Sequence, residues 1–308
     1  MDTPGVWFDM AARIEIATAL ARLGVAEAEV VAPSRVEADL EVVSALREAA
    51  VGLRLSGLIY ASSPGFRGEV EQAVALLDRM DLLVPLSARR EPTSRKGKVS
   101  MVLEALSWAC QHFSDVGVGF PHSSQTEEDF VVDIAGQAAA AGAGRITFYD
   151  TNGSAEPFGV RAIVGRLVGE LGTTVIFHGH NDLGLATANS LAAVLAGASV
   201  VDATINGLGD RAGNASLEQV AVLLGREGFE TGIDLSQLRS VSGLVAEESG
   251  VPVSGLAPVV GEFAFEHRSP SHLAEPAEFE AFKPDLVGGE RRIQNAPAGA
   301  NRGETSED

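Results

Sequence analysis

The sequence predicts an α/β protein in which short parallel strands alternate with covering helices. Seven short β-branched and apolar runs recur along the chain, each followed by a longer run with helical apolar spacing. At 308 residues, 45% of them hydrophobic, the chain can bury a sizeable core as one globular domain with an appendage. No G-x-G-x-x-G follows the first strand, which weighs against a doubly wound open sheet.

The first helix spans about Asp9 to Leu23, with Ile14, Ala17, Leu20 and Ala21 on one face. A strand at Glu27–Ala32 leads through Pro33-Ser34 to a helix over Val36–Ala49. The next strand, Val51–Tyr60, is followed after Ser62-Ser-Pro-Gly65 by a helix over Val70–Met80. Strands at Leu82–Leu86, Val116–Gly119, Arg145–Tyr149, Thr174–Phe177 and Ser199–Ala203 then alternate with helical runs. Those runs lie near Val99–His112, Asp129–Ala141, Phe158–Leu171, Leu185–Ala196 and Leu217–Arg226. The count is seven strands against eight helices, because the first helix has no strand ahead of it; an eight-fold barrel needs one more.

A further helix over Asp234–Ser249 is stopped by Gly250. The expected division is a barrel over 1–232, a small extension over 233–293, and a polar tail over 294–308 with the composition of disorder.

Forty-two acidic residues against 23 basic ones give a formal charge of −19, which argues against nucleic acid or anionic membrane as a partner. Neither a membrane-spanning run nor a signal pattern is visible, so a cytoplasmic location is expected. Cys110 is the single cysteine and excludes an internal disulfide; its apolar neighbours, Leu106, Trp108 and Ala109, suggest a buried structural thiol.

The chemistry concentrates in Phe177-His-Gly-His-Asn-Asp-Leu-Gly-Leu-Ala-Thr-Ala-Asn189. It is answered by Asp202-Ala-Thr-Ile-Asn-Gly-Leu-Gly-Asp-Arg-Ala-Gly-Asn-Ala-Ser-Leu-Glu218. Alternate residues of a strand share a face, so His178 and His180 converge near a strand end, where neutral imidazoles can ligate a divalent metal. Asn181 and Asp182 are placed to orient the rings or a water. A pair of structural histidines is the other reading of a bare H-x-H.

The two segments together resemble the signature of the 2-isopropylmalate and homocitrate synthase family, acyl-CoA-condensing TIM-barrel metalloenzymes related to 3-hydroxy-3-methylglutaryl-CoA lyase. The resemblance favours a (β/α)8 TIM barrel missing most of its first strand, with a small C-terminal helical extension. It implies a Claisen-type condensation of acetyl-CoA, or another acyl-CoA, with a 2-oxo acid, giving a 2-hydroxy dicarboxylic acid in amino-acid biosynthesis. A divalent metal ion (Zn, Mg or Mn) is implied, with His178, His180 and Asn214 as its ligands; Asn214 also suits a helix N-cap.

Asp150-Thr151-Asn-Gly153 matches the family's D-T-x-G, whose threonine binds the keto-acid carboxylate. Glu29 matches a glutamate on the first visible strand, expected near the substrate or paired with a barrel arginine. Phe265-Glu-His-Arg-Ser-Pro-Ser-His272 resembles F-x-H-x-S-G-x-H, whose second histidine, here His272, joins the proton-transfer machinery of a neighbouring subunit; a homodimer follows from that. Lys283, Arg291 and Arg292 are candidates for a coenzyme tail, with surface solvation as the simpler role.

The departures from the family are specific. The R-D-G-x-Q strand, which supplies a carboxylate ligand and an arginine, is absent, and Asp2-Thr3-Pro4-Gly5-Val6 matches what normally follows it. Tyr60 stands for an arginine, Pro121-His122 for an E-D pair, Phe279 for a tyrosine and Pro270 for a glycine. Three expectations follow in order: a condensing enzyme whose start lies upstream, a divergent carbon–carbon lyase or aldolase, and a non-catalytic barrel that binds or dimerises.

Overall fold

Local signals fix the helix ends. The Asp9 side chain accepts the Ala12 N–H at 2.9 Å, and Gly24, at φ 94°, turns the chain out of the helix. The Glu156 carboxylate accepts from the Gly159 and Phe158 N–H groups ahead of Pro157, and Ser216 caps the helix that begins at Leu217. The computed structural model describes residues 3–32, 36–87 and 93–293, so the expected tail lies outside the described residues.

Helix α1 (Met10–Leu23) precedes β1 (Glu27–Val31). Then follow α2 (Val36–Glu48), β2 (Arg54–Tyr60), α3 (Phe66–Ala73), β3 (Arg79–Leu83), α4 (Arg95–Ala109), β4 (Val116–Phe120) and α5 (Glu128–Ala140). The alternation continues through β5 (Arg145–Asp150), α6 (Pro157–Leu171), β6 (Thr174–Gly179), α7 (Ala186–Leu195), β7 (Val200–Val201), α8 (Leu217–Arg226) and α9 (Leu238–Ser249). All seven strands are parallel and pair in chain order, β1 and β7 ending the sheet. The sheet curls until Arg145 on β5 reaches Glu27 on β1 at 3.4 Å. This is a TIM-barrel-like α/β fold. No helix among the described residues is long and apolar enough to cross a membrane.

The outer face of the sheet carries the main core. Leu55, Ile59, Met80, Val118, Ile146 and Phe177, each at most 1% exposed, pack against Val43, Leu106, Ile134 and Leu167 of the helices. Burial of one such side chain contributes about 1.5–3 kcal/mol. A bulge between Glu29 and Val31 turns Val31 to this outer face while Glu27 and Glu29 stay on the inner one. Residues 259–287 join a second apolar cluster with Leu23 of α1 and with Leu238, Val241 and Val245 of α9. The extension contains β8 (Glu266–His267), the short helix α10 (Pro270–Ala274) and β9 (Arg292–Ile293), with β8 and β9 paired to each other.

The inner face is charged at the strand starts. Arg79 is 5% exposed and binds Glu27 at 2.6 Å and Asp81 at 2.7 Å; Arg145 binds Asp115 at 3.0 Å, and Arg54 binds Asp115 at 3.1 Å. Glycines on β4 make the room. A Cβ at Gly117 would lie 1.7 Å from Asp81 Oδ1, and one at Gly119 would lie 2.7 Å from the Tyr149 ring.

Several boundaries differ from expectation, most plainly those around β3. The helix expected over Val70–Met80 ends at Ala73, and the strand after it starts at Arg79 rather than Leu82, because Arg79 and Asp81 point inward and hide the apolar alternation. Cys110 is exposed, not buried: it lies one position past Ala109, rotated about 100° from the face that Leu106 and Ala109 bury.

Candidate metal and substrate site

His178 is the next-to-last residue of β6 and His180 directly follows the strand, so both rings stand on the inner face beside the C-terminal strand ends. Their Nε2 atoms approach to 3.5 Å and the rings meet edge to face. Each Nδ1 is already engaged. His178 Nδ1 lies 3.1 Å from Asp202 Oδ2, and His180 Nδ1 lies 2.7 Å from the Thr151 carbonyl oxygen. Both acceptors take an N–H, which fixes the tautomers and leaves two Nε2 lone pairs facing one space. Burial, and then the neighbouring His178 ring, hold His180 below its ordinary pKa, which favours the neutral ligand form.

Asn214 pairs with His180 in an antiparallel bridge, and its buried Oδ1 has no hydrogen-bond partner. A buried amide oxygen left unpaired costs about 1–3 kcal/mol, so this atom fits a role as a donor to something bound. Two imidazoles and an amide oxygen suit a divalent cation. Among the described residues no three His, Cys, Asp or Glu side chains gather as a ligand set, so a third donor from this chain would be a neutral group such as the Asn214 amide oxygen.

Some expected roles move. Asn214 is not the N-cap of α8, because Ser216 accepts the Gln219 N–H. Asn181 and Asp182 do not orient the rings: Asn181 Oδ1 accepts from the Ala186 N–H, and Asp182 is gripped by Arg211 at 2.7 and 2.8 Å. Arg211 also donates to the Thr151 carbonyl at 2.9 Å, tying the loop before α8 to the one after β5.

Thr151 Oγ1 accepts the His122 N–H at 2.7 Å, leaving its own hydrogen free to donate to a ligand. Asp150, fully buried, accepts from Ser124 Oγ and from the Ser154 and Ala155 N–H groups and shapes this turn. Gly153, at φ 58°, is required there, since a Cβ would lie 2.6 Å from Asp182 N. Glu218 holds the facing loop by accepting from Ser216 Oγ and the Asn206 N–H.

Glu29 lines the inner face without a hydrogen bond or ion pair among the described residues. The expected arginine partner is committed elsewhere, Arg79 being held by Glu27 and Asp81. Glu29 is exposed at the sheet's end; the protein packed around it, then the charges of Asp202 and Asp81, push its pKa upward. Tyr149, its ring tilted at 35° to that of His178 with 4.7 Å between centroids, adds an inward phenol that sequence reasoning missed. Sequence reasoning also missed the role of the Asp202 carboxylate, whose place just past β7 is the signal that could have found it.

His272 belongs to a second cluster, in the extension. Its ring stacks on Phe279 at 3.9 Å between centroids, and its Nδ1 lies 3.5 Å from His267 Nδ1. No hydrogen bond or ring contact joins it to the His178 cluster among the described residues. Lys283 is the residue before a short 3-10 turn, Arg291 is paired with Glu280 and Arg292 with Glu262, so both arginines hold carboxylates in this structure.

Replacing Asp202 by asparagine should weaken divalent-metal binding about 10–100-fold, as read by calorimetry, because the carboxylate fixes the His178 tautomer. Unchanged affinity would remove Asp202 from the site.

The class these features define is a TIM-barrel-like fold with its polar groups gathered at the C-terminal ends of parallel strands. A family model described as HMGL-like matches residues 1–245, and the chain belongs to that family. It is 36% identical over 299 residues to homocitrate synthase 1 of Nostoc sp., covering 94% of this chain and 78% of that protein. To the homocitrate synthase of Saccharolobus solfataricus it is 34% identical over 302 residues, covering 93% and 64%. To 2-isopropylmalate synthase 2 of Caldanaerobacter subterraneus subsp. tengcongensis it is 34% identical over 301 residues, covering 94% and 77%. In fold it is similar to the HMG-CoA lyase of Bacillus subtilis, with a TM-score of 0.70, 19% identity and coverage of 82% and 90%. The chain thus spans about two thirds to four fifths of these curated relatives' lengths.

Proposed function

We propose that the chain condenses an acyl-CoA, acetyl-CoA first among them, with a 2-oxo acid, and that water then hydrolyses the adduct's thioester to give a 2-hydroxy dicarboxylic acid and free coenzyme A. The observation that carries this reading is the pair of oriented imidazoles whose Nε2 atoms lie 3.5 Å apart, at a strand end bridged to Asn214 with its unpaired amide oxygen and beside a threonine hydroxyl free to donate. Homocitrate and isopropylmalate synthases among the relatives support the same chemistry.

His178, His180 and Asn214 would hold a divalent ion, which when bound supplies Lewis-acid polarisation of the keto carbonyl. Asp202 and the Thr151 carbonyl keep the two rings in the ligating tautomer. Thr151 Oγ1 donates to the oxo-acid carboxylate. Glu29, on the inner face with its pKa pushed upward, is the candidate donor of a proton to a substrate oxygen. His272 removes the proton from the acyl methyl group, in a homodimer that brings the extension of one subunit to the site of the other.

The test is release of coenzyme A thiol from acetyl-CoA across a panel of 2-oxo acids with Zn, Mg or Mn added. At least one acid should raise the rate at least tenfold over the acyl-CoA-only background; a panel that stays at background overturns the reading. A divergent carbon–carbon lyase is the second reading, favoured by His122, held in a left-handed turn at φ 67° beside Thr151 where the family has a carboxylate. Acetyl-CoA formation from a 3-hydroxyacyl-CoA, with no thiol release in the forward panel, would select it.

A further inference from the structure

The extension holds a buried polar chain that the condensation reading does not require. Arg291 clamps Glu280 through two bonds, Nε to Oε1 at 2.6 Å and Nη2 to Oε2 at 2.8 Å. The same Oε1 lies 3.2 Å from His267 Nε2, and His267 Nδ1 lies 3.5 Å from His272 Nδ1. The Glu280 side chain is 5% exposed and the His267 side chain 8%. The fold assembles this chain locally: β8 carries His267, and its pairing with β9 brings the neighbouring Arg291 to the carboxylate. Phe279, the residue before Glu280, lies flat against the His272 ring at 14° between planes.

With both imidazoles neutral, the donors and acceptors have one consistent assignment. Glu280 is an acceptor only, its carboxyl held below the usual range by the Arg291 hydrogen bonds. His267 therefore donates from Nε2, and a neutral His267 then has its lone pair at Nδ1. That lone pair accepts from His272 Nδ1–H, so the basic nitrogen of His272 is Nε2, on the far side of its ring from the chain.

We propose that His267 and Glu280, anchored by Arg291, are positioning residues that fix His272 as the Nδ1–H tautomer and present Nε2 as its base. The proposal rests on the condensation reading only in giving His272 a proton to move. Carboxylate, imidazole and imidazole in series set orientation, as a buried carboxylate orients a catalytic imidazole in hydrolases. Phe279 supplies a stacked wall and no competing hydroxyl, so the ring plane is held by packing and the ring's protonation by the chain.

The experiment is heteronuclear NMR of the full chain labelled with 15N-histidine. The His272 signals are identified by their loss in H272A. In the wild type His272 should show Nδ1 protonated and Nε2 unprotonated. In E280Q and in H267Q it should shift to a mixture of tautomers, while R291K keeps the wild-type pattern. Where thiol release is measurable, E280Q and H267Q should lower kcat about 10–100-fold with KM for the 2-oxo acid unchanged. An unaltered His272 tautomer in both variants overturns the proposal. If E280Q is unfolded by circular dichroism, R291M gives the same reading from a more exposed position, its side chain being 36% exposed. A wild type that turns over no 2-oxo acid sinks the condensation reading alone, because the tautomer is read without substrate.

Discussion

An H178A/H180A variant should bind zinc, magnesium or manganese more than about 100-fold more weakly than the wild type, and its metal-dependent thiol release should fall to background. The two Nε2 atoms are 3.5 Å apart with both Nδ1 atoms occupied, so the pair offers its lone pairs to one point. Removing both leaves Asn214 Oδ1 as a lone neutral donor, too weak to hold a divalent ion against water. Isothermal calorimetry on chelator-treated protein, with circular dichroism to show an intact fold, measures this. Equal affinity in wild type and variant would place the metal elsewhere.

An Arg79→Met variant should lose about 3–5 kcal/mol of stability at pH 7 in urea unfolding, because one side chain neutralises two carboxylates inside the curl. Asp81 is 3% exposed. Burial pushes its carboxyl from 3.8 up to about 6, Arg79 pulling it down and the charges of Asp202 and Glu27 adding to the rise. A carboxyl that holds its proton more tightly when folded contributes stability that is fully present below about pH 4 and lost as pH rises through about 6. That span is worth roughly 3 kcal/mol. Without Arg79 the Asp81 pKa climbs further, so the deficit of the variant should shrink as the pH is lowered from 7 toward 5. A loss under about 1 kcal/mol at pH 7, or a deficit that does not vary with pH, would mean that water reaches and solvates this network.

The residues legible in the sequence are those whose partners are near in the chain. His178 and His180 are two positions apart on a strand, and period-two geometry alone puts them together. Thr151 was legible as part of a turn after a strand. Its carbonyl, the atom that orients His180, carries no side-chain signature at all. Asp202 lies 24 residues from His178, and only the pairing of β6 with β7 brings it to the ring. Asn214 was marked by its motif; that its oxygen is buried and unpaired is a property of the folded loop.

The strand–helix alternation and the strand that carries the histidines were determined by the sequence itself, because apolar periodicity is a local property that each segment carries alone. The parallel order of the strands, the charged inner face and the Glu280–His267–His272 chain were decided only by tertiary structure. Arg79 reads as the end of a helix and Asp81 as the link after it until Gly117 on the next strand gives them room, and that space exists only after the sheet has curled.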